Sequence, residues 1–180
     1  MARLLLVVLL FMLGMPDVSS VTQQVSDFAG LQSAVADTSV EILEVMQAIT
    51  FTSRITIDRA VTVRGTGCNS DDTTCTVTLD GDSSQQLFLV SVIGEVVFEN
   101  LRFENGYTSG WGGAVLVSSS DSSSKNVNFT SCNFNSNVAT GWGGGAVALN
   151  VNTIASFTGC TFTSNTATVR AACANNPGWR

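Results

Sequence analysis

The chain has 180 residues, a net charge of −6 and no histidine. Without imidazole there is no Ser-His-Asp or Cys-His catalytic pair and no histidine metal site. With 8 Lys plus Arg against 14 Asp plus Glu there is no cationic footprint for a phosphate backbone, which excludes nucleic acid as a partner.

A composition 44% hydrophobic and 12% charged points to a packed core, and 2 prolines beside 16 glycines, with abundant Ser, Thr, Val and Asn, lean toward strands and turns. Arg3 precedes an apolar run, 4–15, that is too short to span a bilayer and has the length of a signal-peptide core. Pro16 ends the run, and Val18-Ser19-Ser20 offers small residues for cleavage. Residues 1–20 therefore read as a signal peptide and the mature chain as secreted, extracellular or held at a cell surface. No later stretch approaches transmembrane length.

Next, Phe28, Leu31, Ala34 and Val35 share one side at helical spacing, with Ser26 as the expected N-cap. This makes 21–40 an N-terminal cap with a short helix. Short strand candidates follow at Glu41–Met46, Ile55–Ile57, Val61–Val63, Thr76–Leu79 and Leu87–Val90, closed by turn residues such as Gly65-Thr66-Gly67 and Asp80-Gly81. Arg54, Arg59 and Arg64 are spaced by five and are expected to decorate turns and a solvated face. Cys68 and Cys75 bracket a polar loop, and export permits a disulfide between them, which leaves Cys132, Cys160 and Cys173 as thiols.

From residue 98 the chain repeats itself. Phe129-Thr130-Ser131-Cys132-Asn133-Phe134-Asn135-Ser136-Asn137 recurs as Phe157-Thr158-Gly159-Cys160-Thr161-Phe162-Thr163-Ser164-Asn165, with a looser copy at Phe98–Asn105 that carries Leu101 in the cysteine position. Gly110-Trp111-Gly112-Gly113-Ala114-Val115 returns as Gly141-Trp142-Gly143-Gly144-Gly145-Ala146-Val147, with one extra glycine. Two motifs moving together at this period mark a solenoid, and the short apolar runs between turn residues make its coils β-strands. Like residues then stack coil over coil, Phe129 on Phe157, Phe134 on Phe162 and Asn137 on Asn165. The expected fold is all-β, a parallel β-helix of roughly five coils over 41–167. After Asn165 the motif stops where another strand would fall near residue 174. Residues 168–180 read as an irregular tail, and the lack of an obvious polar cap suggests that the chain is a piece of something longer.

The Gly-Gly-Ala-Val motifs at 112–115 and 144–147, with Phe-x-x-Asn at Phe134–Asn137 and Phe162–Asn165, resemble the repeats of the chlamydial polymorphic outer membrane proteins and of exported pectin-lyase-like proteins. The resemblance covers about 98–165 and implies a right-handed single-stranded parallel β-helix. In the chlamydial family such a helix is an adhesive surface passenger exported through a C-terminal barrel. Nothing in this sequence resembles the barrel, so only the passenger-like helix carries over.

Many proteins of this fold act on acidic polysaccharides, with acidic calcium ligands and a basic proton acceptor, or with paired carboxylates. The densest acidic group, Asp71, Asp72, Asp80 and Asp82, reads as polar-loop and turn chemistry, so no catalytic residue, metal ligand or cofactor is assigned. Tyr107, Trp111 and Trp142 are candidates for stacking on sugar rings, against the simpler reading that the indoles pack over glycine-rich backbone. Asn128 begins an N-x-T glycosylation tripeptide. Cys132 and Cys160 are expected to form an inert inward stack. The function expected is a non-catalytic adhesive module in contact with surface polysaccharide. A pectate-lyase-like enzyme whose catalytic coils are missing or unrecognised is the alternative.

Overall fold

The computed structural model describes residues 20–66, 76–91, 94–118, 125–141, 143–168 and 173–175. The signal-peptide run, Cys68, Cys75, Asp71, Asp72 and Trp142 lie outside these residues, as does most of the tail.

The chain forms the expected parallel β-helix. It enters through β1 (Thr22–Val25) and α1 (Phe28–Ala36), and five coils follow. The first contains β2 (Ile42–Val45), β3 (Ile49–Thr50) and β4 (Ile55–Ile57). The second contains β5 (Val61–Gly65), β6 (Val77–Asp80) and β7 (Phe88–Val90). The third adds a fourth strand: β8 (Gly94–Glu99), β9 (Leu101–Glu104), β10 (Tyr107–Thr108) and β11 (Val115–Val117). The same four-strand pattern recurs as β12 (Lys125–Thr130), β13 (Asn133–Asn135), β14 (Val138–Ala139) and β15 (Val147–Leu149), and then as β16 (Thr153–Thr158), β17 (Thr161–Thr163), β18 (Thr166–Ala167) and β19 (Cys173–Asn175). Like strands stack into sheets ordered β1-β2-β5-β8-β12-β16, β3-β6-β9-β13-β17, β4-β7-β11-β15-β19 and β10-β14-β18. The ladders are parallel, for example β12 on β16 and β13 on β17.

Strict register follows from side chains alternating between the packed interior and solvent, because a one-residue slip would turn each inward row outward. Phe98, Phe129 and Phe157 stack at centroid separations of 5.2 and 5.0 Å, with ring planes 10° and 3° apart. Phe103, Phe134 and Phe162 form a second file at 4.8 and 4.7 Å. The two files meet edge to face, as the ring quadrupole favours, with Phe129 5.3 Å from Phe134.

Asn137 is fully buried yet satisfied. Its amide donates to the Phe103 carbonyl and to Asn165 Oδ1, and its own Oδ1 accepts from the Gly106 N–H. Asn165 repeats the contact one coil on, donating to the Phe134 carbonyl. The asparagine of the Phe-x-x-Asn motif thus supplies partners for backbone groups at a corner where no strand can. Other corners take left-handed residues in register: Asn100, Ser131 and Gly159 after one sheet, Asn105, Ser136 and Ser164 after the next. In the glycine motif, Gly112 and Gly144 have φ of 69° and 68°, and a Cβ on Gly113 would lie 2.1 Å from the Gly145 carbonyl oxygen. The motif is therefore a demand for close coil-to-coil approach.

Three expectations need correction. Asp27, not Ser26, caps α1, with its carboxylate accepting from the Gly30 N–H at 2.7 Å; a carboxylate at this position also meets the positive end of the helix dipole. Arg59 is no surface decoration. It is half-buried and donates to the Ala34 and Val35 carbonyls at 2.9 and 2.8 Å, and to that of Val40, closing the C-terminal end of α1. Arg64 pairs with Glu99 at 2.6 Å across neighbouring coils. Lastly, the glycine motif stops but the pairing does not, since Cys173 lies opposite Val147 and Asn175 opposite Leu149. A parallel ladder is made by backbone groups and can outlast the side-chain motif.

Candidate functional site

The turn between the second and third sheets lengthens along the helix. It spans 51–54 in the first coil, 81–87 in the second and 105–114 in the third, where β10 appears. The wider third coil overhangs the narrower two and leaves a shallow open groove lined by Arg54, Thr56, Ser84, Gln85, Gln86, Tyr107, Thr108 and Ser109.

The groove floor is fixed by hydrogen bonds. Gln86 is 7% exposed, accepts from the Arg54 guanidinium at 3.1 Å, and donates to the carbonyls of Trp111 and Gly112. One amide therefore holds three successive coils together and sets the direction of the guanidinium. Tyr107 is anchored through its backbone N–H to the Gln85 carbonyl at 2.9 Å while its side chain stays 37% exposed. The result is an aromatic face, one cation and several hydroxyl and amide groups on a rigid wall.

Of the three sugar-stacking candidates, Tyr107 lines this groove and Trp111 supplies it with a backbone carbonyl. Trp111 is half-buried and forms a parallel bridge with Gly143, so the residue opposite it in the next coil is not Trp142. The extra glycine moves the pairing by one: Val138 lies opposite Tyr107, but Val147 lies opposite Val115. Arg54 and Gln86 were not legible as site residues, because they stand 32 positions apart outside the repeated motif.

Asn128 lies on β12 with its amide donating to Glu95 and accepting from the Ser156 hydroxyl at 2.6 Å, on a face turned from the core. The Asp80 carboxylate accepts from the Asp82 N–H at 2.9 Å and from the Asn105 amide at 3.1 Å, which is turn chemistry. Among the described residues no group of three or more carboxylate or thiol side chains is placed to hold a metal ion.

Cys132 and Cys160 are both free thiols, the first buried and the second half-buried. Each donates to the carbonyl of a phenylalanine one coil back, Phe98 for Cys132 and Phe129 for Cys160, both at 3.4 Å. The closeness of the two thiols, helped for Cys132 by burial, drives their acidities apart. The Cys132 thiol is pushed far above its ordinary range, while Cys160 is lowered to about 7 against the opposing effect of burial.

The family model described as "Putative pectate lyase-like adhesive domain" matches residues 22–169. No curated protein and no solved structure matches the chain. No helix among the described residues is long and apolar enough to cross a membrane.

Proposed function

The chain belongs to the pectate lyase-like adhesive domain family, and on that premise we propose that it is an exported, non-catalytic β-helix module that holds a surface polysaccharide in the groove beside Tyr107. The observation that carries this reading is the groove itself: an exposed phenol ring beside Arg54, with the polar side chains of Ser84, Gln85, Thr108 and Ser109, on coils locked by Gln86. A sugar ring offers an apolar face to the aromatic and hydroxyls to the amides and the guanidinium. A net charge of −6 repels strongly anionic polymers, so the ligand class is a neutral or weakly acidic polysaccharide.

Export rests on the apolar run 4–15, and a disulfide between Cys68 and Cys75 and a glycan on Asn128 belong to the same extracellular picture. The motifs resembling the chlamydial surface passengers support adhesion as the role. The test is retention on columns of immobilised neutral glucan, mannan and polygalacturonate. Retention on a neutral column, at least several-fold weaker for Tyr107→Ala and Arg54→Ala with unchanged melting, is the expected result. Equal retention of all three proteins, or depolymerisation of the polymer, would overturn the reading.

A further inference from the structure

We propose that Cys132 and Cys160 together form a two-thiolate site for a soft, linearly coordinated monovalent metal ion of the copper(I) class. The two residues occupy the same place in consecutive coils. Thr130 lies opposite Thr158 and Asn133 opposite Thr161, which puts Cys132 opposite Cys160. Their thiols also make the same bonds, Cys132 to the Phe98 and Thr130 carbonyls and Cys160 to those of Phe129 and Thr158. Two side chains with matching contacts in successive coils are related by the rise of one coil, which sets their sulfurs about 4.8 Å apart.

That separation suits one chemistry and resists another. A disulfide needs sulfurs at about 2 Å and side chains turned toward each other, whereas these two lean the same way toward equivalent carbonyls. A metal–thiolate bond is about 2.3 Å for zinc, so a linear sulfur–metal–sulfur unit spans about 4.6 Å and fits between the coils with little movement. Soft thiolate ligands select copper(I), and two ligands satisfy a linear ion where zinc would require four. Binding displaces two thiol protons to solvent and forms two metal–sulfur bonds, with no change of oxidation state. The neighbours suit a soft ion: Leu101 precedes Cys132 in the column and Val77 precedes Leu101, by the pairing of Arg102 with Asn133 and of Val77 with Leu101. Cys160 is the half-exposed member and gives the ion its entry.

The experiment is an anaerobic titration of the reduced chain with copper(I) and, separately, silver(I) against a competing chelator. It is run on the natural chain, on a variant with Cys68, Cys75 and Cys173 changed to Ser, and on each of these with Cys160→Ala. One ion bound per triple-Ser chain, with a thiolate-to-metal ultraviolet band abolished by Cys160→Ala at unchanged circular dichroism, is expected. In the natural chain the same substitution is expected to remove one bound ion, which keeps the test decisive if the triple variant does not fold. Uptake unaffected by Cys160→Ala, or no uptake by folded protein, would overturn the proposal. So would loss of both thiols to a disulfide in the unreduced, unfolded triple variant.

Discussion

Phe129→Ala is the most informative perturbation, because the cost is set by where the ring stands in its file. Phe129 is fully buried, stacked on Phe98 at 5.2 Å and Phe157 at 5.0 Å, with edge contacts to Phe103 at 6.0 Å and Phe134 at 5.3 Å. Truncating such a ring costs about 3–5 kcal/mol from lost transfer energy and the cavity left behind. Phe157, in the last coil, is half-buried and, among the described residues, stacks face to face on one ring, so Phe157→Ala is expected to cost about half as much. Urea unfolding followed by circular dichroism measures both, provided the slope of stability against denaturant is unchanged. The double variant adds a sharper test: rings in direct stacking contact should couple by about 0.5–1.5 kcal/mol. Equal losses at the two positions, or additivity within error, would refute the argument that the files are continuous and that burial grades along them.

Further consequences follow from single contacts. Gly113→Ala forces a methyl against the Gly145 carbonyl and the Val138 N–H, both backbone, so the variant is expected to lose its folded circular dichroism spectrum or melt far below the parent. Arg59→Met keeps the stem but releases the carbonyls at the end of α1, a loss of about 1–3 kcal/mol in urea unfolding. Iodoacetamide modification of Cys160 should rise through pH of about 7 while Cys132 stays unmodified, as read by mass spectrometry of the folded protein. Because Cys160 ionises earlier when folded than its ordinary 9.0, it adds stability as pH climbs from about 7 toward 9; Cys132, shifted the other way, withdraws stability above that range.

The architecture was legible wherever a side chain repeats for a reason the backbone imposes. Phe134 and Asn137 return as Phe162 and Asn165 because each coil must refill the same interior space and satisfy the same corner carbonyl. Gly113 and Gly145 return because the coils touch there through backbone. Legibility failed where a contact is made once. The hydrogen bonds of Arg59 to the end of α1 join residues 24 and 25 positions apart and occur in no other coil, so the arginine resembled any polar turn residue. The groove arises from a change in turn length between coils, which periodicity cannot announce, and Gln86 reveals its part only through partners in the coils on either side. The additional glycine among Gly143, Gly144 and Gly145 was visible, but its effect, setting Gly143 rather than Trp142 opposite Trp111, depends on where the bridge absorbs the insertion.

The phenylalanine files and the thiol pair both require that residues 28 apart in the last two coils be immediate neighbours. Nuclear Overhauser contacts in isotope-labelled protein test this directly. Parallel in-register pairing predicts backbone contacts from Asn133 to Thr161 and ring contacts from Phe134 to Phe162. Contacts of opposite strand sense, or none between these segments in folded protein, would contradict the coil register.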